Sequence, residues 1–111
     1  MTAERIHFVT GRLAEPSLRE VLARLGPEVG FEPSVQVMNI TVAALMTTPW
    51  IARRVEIPEG TSRVVIPGLA AGPLGAIEEA CGVPVERGPD DLRRLDEHFG
   101  RAARGLEGYG D

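Results

Sequence analysis

Ile6-His7-Phe8-Val9-Thr10-Gly11-Arg12-Leu13-Ala14-Glu15-Pro16-Ser17-Leu18 is the stretch that decides the fold. Ile6 to Thr10 is apolar or β-branched apart from His7, which predicts a buried strand. Pro16 suits a first helical turn, and Ser17-Leu18-Arg19-Glu20 has capping-box spacing, so a helix is expected almost at once. Leu18, Val21, Leu22 and Leu25 recur at the helical period and form its buried stripe, and Gly26-Pro27 is expected to close or kink it. A strand, a short turn and a helix make the repeating unit of a parallel sheet. The turn also brings a hydroxyl, a glycine and a guanidinium to the strand's carboxyl end.

The same alternation continues along the chain. Ser34 to Asn39 reads as a second strand, with Val35 and Val37 alternating against Gln36 and Met38. Thr41 can cap a helix carrying Val42, Leu45 and Met46, and Thr48-Pro49 repeats the signal of a cap followed by proline at the first helical position. Two short helices are therefore expected, the second holding Trp50, Ile51 and Val55 and ending at Pro58-Glu59-Gly60. Arg63 to Pro67 is a third strand, its near-continuous apolar run fitting a sheet covered on both faces. A helix from Pro73 to Cys81 should end at Gly82, and Val83 to Glu86 reads as a fourth strand that Pro84 confines to an edge. Gly88-Pro89-Asp90 opens a last helix with Leu92, Leu95 and Phe99 on its buried side.

Four strands in this series are most economically ordered 2-1-3-4, giving a small three-layer α/β sandwich with a mainly parallel sheet, like half of a flavodoxin or Rossmann fold. That order puts a switch point between the first and third strands. Ligands of open α/β sheets bind in such crevices. The candidate binding residues are therefore Thr10, Gly11 and Arg12, Asn39 and Thr41 on the same rim, and Pro67 and Gly68 after the third strand. Residues 1–100 are read as the domain and 101–111 as a tail or linker.

Composition removes several classes of function. Lysine is absent and all 12 basic residues are arginine, so Schiff-base chemistry, a P-loop lysine and a lysine base are unavailable. A net charge of −4 and no basic block longer than Arg53-Arg54 or Arg93-Arg94 argue against nucleic acid. No apolar run approaches the ~18 residues of a membrane span. The lone Cys81 and the lack of an apolar leader point to a cytoplasmic protein.

The chemistry left to the turn is anion binding. Gly11 would let the backbone approach, the following helix would offer its first amides, and Arg12 would add a fork of donors. The plainer alternative is a tight connection in which Arg12 pairs with Glu15 or solvent. His7 reads as a satisfied structural histidine and His98 as a surface one. Glu78-Glu79, Asp90-Asp91 and Asp96-Glu97 point to different sides of their helices and read as solvated faces. No metal, cofactor or catalytic constellation can be assembled. Met46 and Trp50 are the candidate interface residues, since Trp50, if exposed beside Met46, would form a contact patch or a homodimer face.

The phrases FVTGRLAEPSLREVL, FEPSVQVMNITVAALMTTPWIARRV, RVVIPGL and GVPVERGPDDLRRLDEHFG resemble the N-terminal domain of dihydropteroate synthase-like proteins of the tetrahydromethanopterin pathway. The resemblance covers about residues 5–100. It implies a leading accessory module joined to a C-terminal pterin-binding barrel, serving the biosynthesis of a pterin one-carbon carrier. The barrel would hold the pterin-binding and condensation residues, so none is carried over to this chain. After the third strand, relatives show a PG followed by a GD-like pair, whereas this chain reads Pro67-Gly68-Leu69-Ala70-Ala71-Gly72-Pro73 and lacks the acid. Three ways of acting are expected from these readings: contact with another domain, binding of a pterin or phosphate-bearing small molecule, or dimerisation.

Overall fold

The computed structural model describes residues 4–41, 45–89 and 94–95. Four strands, β1 (Glu4–Thr10), β2 (Phe31–Val37), β3 (Arg63–Ile66) and β4 (Val85–Arg87), form one sheet in the order β2-β1-β3-β4. Every pairing is parallel. Three helices connect them: α1 (Glu15–Val29), α2 (Thr48–Ala52) and α3 (Gly75–Cys81). The expected order and α/β class are those observed, and the sheet is parallel throughout rather than mainly so.

Alternation along the central strands builds a core on each face of the sheet. Ile6, Phe8 and Val65 pack with Leu18, Leu22 and Leu25 of α1, together with Phe31 and Leu95. Val9, Val64 and Ile66 pack on the opposite side with Ile51 of α2 and Ile77 of α3. Strands buried on both faces have no polar side to show, which is why β1 and β3 read as nearly unbroken apolar runs.

The boundaries differ from expectation where tertiary contacts override local signals. The capping box at Ser17 is not used. The helix begins two residues earlier, at Glu15, with Ala14 at the cap position and no side-chain cap bond. Gly26-Pro27 does not close α1, which runs on to Val29 and ends in the left-handed Gly30, whose N–H donates to Gly26 O at 2.7 Å. Gly26 is there for close approach, since a Cβ would lie 3.1 Å from Phe31 O. β2 starts at Phe31 rather than Ser34 and stops at Val37 rather than Asn39. Pro33 is tolerated inside it because β2 is an edge strand.

α2 is capped by Thr47 rather than Thr48: Trp50 N–H donates to Thr47 Oγ1 at 3.3 Å. Thr48 is instead turned into the core, its N–H donating to Ala71 O at 2.8 Å. α3 starts at Gly75 rather than Pro73 and ends at the left-handed Gly82 as expected. β4 lies at the edge and begins at Val85, two residues later than Val83, although Pro84 O already accepts from Val64 N–H at 2.9 Å. The helix expected from Thr41 falls largely on 42–44, and most of the helix after Pro89, with His98, Phe99 and the tail 101–111, lies outside the described residues.

Candidate functional site

In a parallel sheet all the strand ends of one polarity lie along one edge. The loops after β1, β2 and β3 therefore meet, and they are joined by backbone hydrogen bonds. Arg12 N–H donates to Ile40 O at 2.8 Å and Leu13 N–H to Thr41 O at 3.2 Å. Ala71 N–H in turn donates to Met46 O at 3.2 Å, tying the third loop to the second. Arg12 adds a side-chain bond, its Nη2 donating to Thr41 Oγ1 at 3.1 Å. It does not pair with Glu15, which is taken by Arg19 at 2.7 Å.

This wiring gives Gly11 a different purpose from the one its sequence context suggests. A Cβ there would lie 2.9 Å from Ile40 O and 3.2 Å from Thr41 O, so glycine is required for two loops of the protein to touch. The amides of Arg12 and Leu13 are already spent on carbonyls. An anion at this turn would have to displace them.

At the switch point itself, between the carboxyl ends of β1 and β3, lies a pocket of about 90 Å³. It is lined by Phe8, Thr10 and Val65 from the strands, by Leu18 of α1, and by Pro67 and Leu69 of the loop after β3. The lining is apolar but for Thr10, whose hydroxyl makes one long contact of 3.3 Å to Gly11 O. Of the residues expected at the site, Thr10, Pro67 and Gly68 line this pocket. Gly11, Arg12 and Thr41 form the rim beside it, and Asn39 is exposed in the loop after β2. The apolar residues Ala14 and Leu18 were not expected there.

Residues 4–90 match a family of unknown function, DUF6513. The chain belongs to this family. The DUF6513 region takes in all four strands and three helices, and so the whole rim and the strand residues that line the pocket. No curated protein and no solved structure matches the chain.

The interface candidates in this DUF6513 domain divide. Met46 is 1% exposed and belongs to the core, with Gly11 beneath its methyl group, so it offers no surface. Trp50 is half-buried against the same core and covered by the Arg54 guanidinium, 4.2 Å from the ring centroid. The exposed large apolar side chain of this segment is Leu45.

His7 lies in the middle of the sheet, away from the pocket, and is 3% exposed. Its Nδ1 is 2.7 Å from Ser34 Oγ and its Nε2 3.2 Å from Gln36 Oε1. Gln36 Oε1 also accepts from Glu56 N–H at 2.8 Å while Gln36 Nε2 donates to Arg54 O at 3.0 Å, which fixes the amide's orientation. The neutral ring must then carry its proton on Nε2 and accept from Ser34. Burial lowers the His7 pKa, partly offset by the bond to Gln36. No group of three or more His, Cys, Asp or Glu among the described residues could hold a metal ion. No described helix is long and apolar enough to cross a membrane.

Proposed function

We propose that this chain is the N-terminal accessory α/β domain of a cytoplasmic dihydropteroate synthase-like protein, serving tetrahydromethanopterin and related one-carbon carrier biosynthesis. Its partner in this reading is the C-terminal pterin-binding barrel of the same protein. The domain acts by contact at the carboxyl edge of its sheet, and the barrel carries the condensation. One observation supports contact over catalysis: the switch point, where an α/β protein would place its chemistry, holds an apolar pocket whose neighbouring loop amides are bonded to one another. The resemblance of the TGRLAEP and LMTTPWIA segments supports this reading of the parent protein.

The pocket also favours a second reading, a small-ligand module. A space of about 90 Å³ takes a small aliphatic group with one hydrogen bond to Thr10, and it is far too small for a whole pterin. Reading the coding sequence past Asp111 and measuring reduced-pterin binding by the encoded protein tests the first proposal. A following barrel that binds pterin is expected. A following domain without pterin affinity rules it out, and calorimetric binding of a small ligand by the chain alone would favour the second.

A further inference from the structure

Three of the four exposed large apolar side chains among the described residues share one edge. Leu13 is 71% exposed, Leu45 71% and Leu69 51%, and they lie in the loops after β1, β2 and β3 respectively. The hydrogen bonds that join those loops make the three leucines parts of one rim, with the switch-point pocket opening beside Leu69. The opposite edge is built differently. There Arg5 pairs with Glu32 at 3.2 Å and Arg63 with Glu4 at 3.0 Å and with Glu86.

Sequence and structure agree on this polarity. No residue between Glu32 and Arg53, or between Arg63 and Glu78, carries a charge, and these are the two longest uncharged stretches of a chain that is 25% charged. Buried strand explains part of each stretch, but the exposed loops after β2 and β3 are uncharged as well. Depletion of charge around exposed aliphatic side chains is the compositional mark of an interface core.

We propose that this rim docks a further domain, C-terminal on the same chain, which seats an apolar side chain in the pocket beside Leu69 and places a carboxylate opposite Arg12. The proposal rests on the reading of this chain as a leading module, and three observations select the occupant. The chain itself returns to the rim after β4: Gly88 N–H donates to Ile66 O at 2.9 Å, and Gly88 and Pro89 lie against Gly68, so β4 delivers the chain to this edge. Arg12, the charged residue of these loops, is exposed and bonded to a neutral hydroxyl, with no carboxylate partner among the described residues. A second copy meeting this face about a two-fold axis would present the same loops, which hold no carboxylate after β1, β2 or β3 to pair with Arg12.

Hydrogen exchange on the encoded longer protein and on this 111-residue chain tests the docking. Amides of the loops around Leu13, Leu45 and Leu69 should exchange about tenfold or more slowly in the longer protein. Leu13→Asp with Leu69→Asp, and separately Arg12→Glu, should remove that difference, while Arg12→Lys retains most of it. Equal exchange in the two proteins, or protection confined to the Trp50–Arg54 face, overturns the proposal. So does a dimer of the short chain in sedimentation that Leu69→Asp dissociates, which would assign the rim to a second copy. A longer protein with a protected rim but no pterin affinity leaves the docking intact and discards only the dihydropteroate synthase-like reading. A coding sequence that stops at Asp111 removes the occupant and overturns both.

Discussion

Arg12 and Thr41 are joined by the guanidinium-to-hydroxyl bond of 3.1 Å and, through the next residue, by Leu13 N–H to Thr41 O at 3.2 Å. The turn after β1 and the loop after β2 thus behave as one body. Gly11 is what lets them meet, because any side chain there strikes Ile40 O.

Gly11→Ala should therefore cost about 1–3 kcal/mol, since backbone and not a flexible side chain must yield. Arg12→Ala removes only an exposed bond and should cost under about 1 kcal/mol. Urea denaturation of both variants checks the contrast. A Gly11→Ala protein as stable as the parent would mean the loops are not in contact.

Neighbouring Leu45 and Met46 should respond in opposite ways. Met46→Ala empties a fully packed position and is expected to lose about 2–4 kcal/mol, whereas Leu45→Asp lies at the surface and should stay within about 0.5 kcal/mol of the parent. Thermal melts of the two proteins are enough to tell. Equal destabilisation would show that Leu45 is buried in solution.

The two threonines before Pro49 separate in the same manner. Thr47→Ala loses the cap of α2 and should cost about 1 kcal/mol. Thr48 Oγ1 is buried beside Gly72 with no hydrogen-bond partner among the described residues, so Thr48→Val should be neutral or stabilising by up to about 1 kcal/mol. A clear loss of stability in Thr48→Val would reveal a partner for that hydroxyl.

His7 sets a pH dependence whose sign is fixed by its burial. Its folded pKa lies below the ordinary value of 6.5, so the unfolded chain takes up the proton first as pH falls. The contribution of His7 to stability is complete above pH 6.5 and declines below it, toward the folded pKa. Denaturation midpoints between about pH 8 and pH 5 should show an acid-side decline that His7→Gln reduces. An identical decline in the variant would assign it to carboxylates.

The order of the sheet was legible because four strands joined by short right-handed crossovers are most economically arranged 2-1-3-4, and Pro84 marks the fourth strand as an edge. The ends of the elements were not. Ser17-Leu18-Arg19-Glu20 is a sound start signal, yet α1 begins at Glu15, because the short turn after β1 delivers the chain into helical geometry sooner and Pro16 accepts an early position. Gly26-Pro27 signals a stop or a kink, yet the helix continues to Val29, because Gly30 supplies the left-handed end and Gly26 lets the helix lie against Phe31. Both failures are of one kind: a local preference of about 1 kcal/mol set against the packing of a whole helix.

The candidate site divides along the same line. Periodicity and proline placement determined that Thr10, Arg12, Thr41 and Pro67 would gather at one edge, since parallel strands send all their carboxyl ends the same way. Only the tertiary structure decided what the gathering does. Gly11 and the amides after it have the composition of an anion loop, and whether such amides face a ligand or another loop depends on a segment some 30 residues away, Ile40 and Thr41, whose carbonyls take them. Leu13, Leu45 and Leu69 are three unrelated leucines in the sequence, and they become one apolar rim only because the sheet and its loop-to-loop hydrogen bonds bring them to the same edge.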